Sequence, residues 1–150
     1  MKQLLLVSWL LLLSAILGLP EVKADVRMPL IFGNHMVLQQ DTRITIWGWA
    51  DAGENIEVLF AGQKVRTTAN ADGTWQVKLK PVKTKKKGET LTITGKNKLV
   101  YSDVLVGDVW VASGQSNMEW GIKVRKEYAD DIAHSEDSLL RLFFVPKNTS

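Results

Sequence analysis

A chain of 150 residues that is 45% hydrophobic, 23% charged and 8% aromatic is neither a disordered tail nor a collagen-like repeat, and it has the apolar content to build a core. The absence of cysteine excludes a disulfide framework, a thiolate metal site, a cysteine nucleophile and lipid attachment through an N-terminal cysteine. The net charge of +3 is bland, and its basic excess in Lys83, Lys85, Lys86 and Lys87 has no interleaved aromatics, which predicts a solvated loop and no nucleic-acid partner.

In chain order, Met1-Lys2-Gln3 precedes an apolar run from Leu4 to Leu19, broken by Ser8 and Ser14 and stopped by Pro20. The small residues Val22 and Ala24 then stand three and one places before Asp25. This is the pattern of a signal peptide over residues 1–24, cut ahead of Asp25. The run is shorter than the roughly 20 apolar residues a membrane span needs, so the sequence predicts export, to the periplasm or outside the cell, with no stable membrane insertion after cleavage.

From residue 25 to 104 short alternating runs are punctuated by turn residues, as antiparallel strands require. Ile44, Ile46 and Gly48 share one face, opposite Arg43, Thr45, Trp47 and Trp49. Ile56, Val58 and Phe60 alternate up to a turn at Ala61-Gly62, and the chain returns through Val65. Asn70-Ala71-Asp72-Gly73 predicts a further hairpin turn before Trp75, Val77 and Leu79. Pro81 to Gly88 is a polar connection, followed by strands around Leu91 and Ile93 and around Leu99-Val100-Tyr101. Strands at this spacing predict a meander folded into a β-sandwich.

Over 105–150 the pattern changes. Val104-Leu105-Val106 and Val109-Trp110-Val111-Ala112 are nearly continuous apolar runs, which suit a strand buried on both faces. A short helix near Glu127 to Ser135 and a second apolar strand, Leu139 to Val145, complete a strand-helix-strand order. Such an order opens a parallel α/β sheet. A sheet of this kind needs more units than these residues supply, so the sequence reads as the front part of a longer protein or a natural truncation.

The candidate reactive residue is Ser116, where the apolar run gives way to polar residues. A hydroxyl at the carboxyl end of a parallel strand lies where open α/β sheets bind ligands, and amide N–H groups at a helix start can stabilise an oxyanion. Gly114 allows close approach of a substrate to the backbone. The same residues also fit an ordinary capping box, Ser116-Asn117-Met118-Glu119, and the G-x-S-x-G elbow of lipases fails because Met118 stands at its last position. Asp131-Ile132-Ala133-His134 has an Asp-x-x-His spacing but falls on a polar surface helix close behind Ser116. His35, among residues of the strand domain, is read as a hydrogen-bonded structural histidine. Trp47, Trp49 and Trp75 suit either a core or a sugar-stacking surface. No metal site is visible.

The block Gly114-Gln115-Ser116-Asn117-Met118-Glu119-Trp120, behind Gly107-Asp108-Val109-Trp110-Val111-Ala112-Ser113, resembles the first signature of the sialate O-acetylesterase family. Pro29 to Gln40, Ile46-Trp47-Gly48 and Ala71 to Trp75 resemble that family's N-terminal β-domain, so the likeness extends over residues 26 to 150. The resemblance implies a β-sandwich beside an α/β/α domain of the SGNH-hydrolase type, and removal of acetyl esters from sialic acid or related sugars without a cofactor. It makes Ser116 the nucleophile and one backbone oxyanion donor, with Gln115 and Asn117 shaping the turn. It also implies a later glycine, an asparagine and an Asp-x-x-His motif, none of which is found here, so the 150 residues alone should be nearly inactive. Two other functions fit the residues: a non-catalytic sugar-binding module and a xylan acetylesterase.

Overall fold

Alternation of apolar and polar residues produces seven strands in the computed structural model, which describes residues 25–116, 121 and 126–145. They are β1 (Val37–Gln39), β2 (Ile44–Trp49), β3 (Asn55–Phe60), β4 (Gln63–Thr68), β5 (Thr74–Leu79), β6 (Lys85–Thr94) and β7 (Lys98–Gly107). One sheet has the order β1-β7-β6-β3-β4, and β2 and β5 pair antiparallel as a second. Residues 1–24, the predicted signal peptide, lie outside the described part. Among the described residues no helix is long and apolar enough to cross a membrane.

Both sheets turn one face to a common core. Ile44, Ile46, Trp75, Val77 and Leu79 come from the two-stranded sheet, and Ile56, Val58, Phe60, Leu91, Ile93 and Val104 from the larger one. Ile46, Val58, Leu91 and Ile93 are fully buried, each contributing about 1.5–3 kcal/mol of transfer free energy. The predicted inward faces of β2, β3 and β5 are the observed ones. The molecule is mostly β, with little helix.

Connections are fixed by backbone geometry and by two polar side chains. Ala61 and Gly62, with φ of 50° and 74°, form the two-residue turn between β3 and β4, the left-handed pair that matches strand twist. Asn97 grips the backbone of Val26 from both sides, accepting its N–H at 2.8 Å and donating to its carbonyl at 3.1 Å. Buried Glu54 accepts the N–H groups of Asp51 at 3.1 Å and Lys96 at 2.5 Å, tying two loops together. Gly48 is required where the backbone of Arg27 crosses β2, because a Cβ there would lie 2.3 Å from the Arg27 carbonyl oxygen.

The connectivity departs from the predicted meander. Asn70 to Gly73 do form a tight turn, closed by the Gly73 N–H on the Asn70 carbonyl. The turn carries the chain from one sheet to the other, since β4 pairs with β3 and β5 with β2. A period of two identifies a buried face but not the neighbouring strand. Lys85 to Gly88 belong to the exposed start of β6 rather than to a loop. β7 continues through Leu105, Val106 and Gly107, which pair in parallel with β1, so these residues complete this sheet instead of opening a new one.

The predicted buried strands beyond β7 are not found. Val109, Trp110 and Val111 are 49%, 89% and 90% exposed and belong to no strand. Residues 139–145 are likewise irregular, and Leu142 and Phe144 face solvent. An apolar run becomes a buried strand only when adjacent strands accept its backbone hydrogen bonds, and among the described residues neither run has such a neighbour. The predicted helix between them is present in short form, as a tight turn at Lys126–Tyr128 followed by α1 (Ala129–Ala133).

Candidate functional site

The route from the sheet to Ser116 begins at a polar clamp. The adjacent glutamines Gln39 and Gln40 lie at the end of β1, which runs alongside the end of β7. The Gln40 N–H extends the pairing to the Gly107 carbonyl at 2.9 Å, and its side-chain amide donates to Asp108 Oδ1 at 3.1 Å. Gln39 Oε1 accepts the Val109 N–H at 2.8 Å. Together these bonds hold Asp108 and Val109, the first residues after the sheet, whose backbone has no strand partner among the described residues. No role for Gln39, Gln40 or Asp108 follows from the order of residues alone, because a polar doublet at a strand end is too common a pattern to mark one.

Beyond the clamp the chain runs without regular structure to Gly114, Gln115 and Ser116, all exposed. An exposed hydroxyl is open to a substrate. Asn117, with Met118 to Trp120 and hence the glutamate of the possible capping box, lies outside the described residues.

Both histidines of the chain are hydrogen-bonded elsewhere. His35, in a turn with φ of 62° rather than in a strand, places Nδ1 2.7 Å from Asp103 Oδ2. The role predicted for it, a hydrogen-bonded structural histidine, is the one it has. Asp103 Oδ2 also accepts from Arg141 Nη2 at 3.0 Å, which fastens the 139–145 segment to β7. The His35 hydrogen bond, and then that of Arg141, hold the Asp103 carboxyl below the usual carboxylate range. His134 follows α1 and donates from Nδ1 to the Asp130 carbonyl at 2.7 Å. Its Asp-x-x-His spacing with Asp131 is therefore that of a helix end.

The three tryptophans divide. Trp75 is 2% exposed and belongs to the core, whereas Trp47 and Trp49 are 40% and 37% exposed on the outer face of β2. Trp47 packs edge-to-face on Trp49, with centroids 5.5 Å apart, and on Phe32 at 6.4 Å. Among the described residues no group of three or more His, Asp or Glu side chains forms a candidate metal site.

No protein-family model matches the chain. The sialate O-acetylesterase of Rattus norvegicus is 37% identical over 128 residues, which are 75% of this chain and 23% of that protein. The Mus musculus sialate O-acetylesterase is 35% identical over 127 residues, with the same coverage of 75% and 23%. The chain thus spans about a quarter of the length of the curated relatives it matches. A crystal structure of a carbohydrate acetylesterase from Xanthomonas citri matches with a TM-score of 0.69 at 35% identity, covering 75% of this chain and 26% of that one. Over three quarters of its length, the chain is a homologue of the sialate O-acetylesterases.

Proposed function

We propose that this chain is the leading part of an exported serine esterase that removes O-acetyl groups from sialic acid or a related sugar. One observation carries the reading: Ser116 is exposed on a segment clamped to the end of the sheet, in a chain homologous to sialate O-acetylesterases. The two sheets with their shared core form an accessory β-sandwich over residues 25–107. Residues 108–150 open the catalytic α/β/α domain, and residues 1–24 are the signal peptide that directs export.

In the reaction, Ser116 Oγ attacks the acetyl carbonyl and a base takes its proton. The oxyanion is held by backbone N–H groups, that of Ser116 among them, on a turn shaped by Gly114, Gln115 and Asn117. The sugar hydroxyl leaves with a proton, and water then releases acetate from the acetyl-serine. Because His35 and His134 are engaged away from Ser116, the base comes from outside the described residues, and the 150 residues alone turn over little ester.

In the protein carrying its complete catalytic domain, Ser116→Ala lowers hydrolysis of 4-nitrophenyl acetate by roughly 10³-fold or more, at a stability cost of about 1 kcal/mol or less. Ser116→Asn keeps a capping side chain and loses turnover equally. Parental rates in Ser116→Asn would reduce Ser116 to a helix cap and overturn the esterase reading.

A further inference from the structure

The outer face of the β2–β5 pair carries a depression of about 320 Å³, at the lower end of the roughly 300–1,000 Å³ range of small-molecule sites. The register sets Trp47 opposite Gln76 and Trp49 opposite Thr74, so two half-exposed indoles and two polar side chains alternate on one surface, and Asn70 joins them at the turn. Nothing in the proposed esterase chemistry uses these residues.

Their hydrogen-bonding state shows which groups are available. Thr74 Oγ1 is taken, accepting from Asn70 Nδ2 at 3.0 Å and donating to Asp72 Oδ1 at 2.7 Å. The side-chain oxygen Oδ1 of Asn70 and the side-chain amide of Gln76 make no hydrogen bond among the described residues. Open amide donors and acceptors beside indole faces match a sugar ring, whose C–H face stacks on an aromatic surface while its hydroxyls exchange hydrogen bonds at the edge.

Charge narrows the class. Every residue lining the depression is uncharged; charges of both signs lie only around it, the Asp72 carboxylate held by the Thr74 hydroxyl and by the Thr74 N–H at 2.9 Å, Arg27 bridged to Trp49 and Lys78 beyond Gln76 on the same face of β5. An acidic sugar would find no cation in the lining.

We propose that this depression is a second, non-catalytic saccharide site that binds an uncharged glycan through Trp47, Trp49, Asn70 and Gln76. It would hold the protein on a neutral polysaccharide independently of which acetyl ester is cleaved.

Affinity electrophoresis of the full chain tests this without any esterase assay. The gels contain arabinoxylan, galactomannan, hydroxyethyl cellulose or starch, with polysialic acid as the anionic comparison. At least one neutral polymer should retard the chain and polysialic acid should not. Trp47→Ala and Trp49→Ala should each weaken retardation about tenfold, the change that about 1.4 kcal/mol of lost contact produces. Trp47→Phe should restore most of it, and Trp110→Ala, at an exposed tryptophan that does not line the depression, should not alter it. Gln76→Ala, a surface amide, reads the site even where a tryptophan variant fails to fold, and should weaken retardation several-fold. Retardation by none of the neutral polymers, equal retardation by polysialic acid, or parental binding in Trp49→Ala and Gln76→Ala would each overturn the proposal. Loss of esterase activity in Ser116→Ala would leave retardation unchanged, so the two readings fail separately.

Discussion

His35 Nδ1 and Asp103 Oδ2 meet at 2.7 Å, and both residues have left-handed backbones, with φ of 62° and 53°. The turn before β1 and the irregular part of β7 are each bent so that these two side chains face one another. The His35 N–H also reaches the Ser102 carbonyl at 3.0 Å, and Asn34 Oδ1 accepts the Ser102 N–H at 2.8 Å. A short polar zipper thus replaces strand pairing just ahead of β1.

The pair has a defined pH dependence. Asp103 has a folded-state pKa below its unfolded value, so its stabilisation is complete above about pH 4 and is lost as pH falls through the folded value. Urea midpoints should decline as pH falls below about 4, and Asp103→Asn should flatten that decline. Glu57, lowered by Arg66 and Lys64, contributes in the same sense, so Glu57→Gln should flatten it further. An acid limb unchanged in both variants would show that neither carboxylate is linked to folding.

Gly48 is a buried position with no room for a side chain. A methyl group there would meet the backbone of Arg27 rather than a movable side chain, so Gly48→Ala should cost about 1–3 kcal/mol. Thermal unfolding should show the loss, together with faster exchange of the Trp49 amide, which donates to the Arg27 carbonyl at 2.9 Å.

Ala61 offers the opposite change. Its φ of 50° places a Cβ in the region that disfavours side chains. Ala61→Gly should raise stability by about 0.5 kcal/mol, the relief of strain being partly offset by the greater freedom of the unfolded glycine. Denaturant midpoints measure it; a loss above about 1 kcal/mol would mean that the Ala61 methyl, which packs against the core, matters more than the turn.

Gln39 should govern the stability of the segment leading to Ser116. Removing its carbonyl oxygen in Gln39→Ala frees the Val109 N–H, and exchange of that amide should accelerate about fivefold, the equivalent of about 1 kcal/mol. Exchange at Val58 in the core should not change.

Much of the strand domain was legible because burial there follows a period of two. Ile44 and Ile46, or Ile56, Val58 and Phe60, declare an inward face without knowledge of the partner strand. The partners were not legible: the two-sheet division and the parallel β1–β7 pair depend on contacts between residues as distant as Val37 and Leu105. The apolar runs after Gly107 misled for a related reason, since apolar continuity reports a capacity for burial, and burial is realised only with neighbours. Ser116 stands out as a candidate through its surrounding motif, whereas Gln39 and Asp108 act through hydrogen bonds that no spacing in the sequence encodes.

The pairing of β1 with β7 has a consequence for synthesis. The first strand made must wait, with its polar edge open, until the last strand of the sheet has left the ribosome, because β7 is its partner and the bridge to β6. Loop closure over nearly the whole strand domain comes late and slowly. During translation β3 and β4 can pair through their two-residue turn, while the Gln39–Gln40 clamp assembles only after Asp108 emerges. The nascent chain therefore completes its sheet at the point where the segment bearing Ser116 begins.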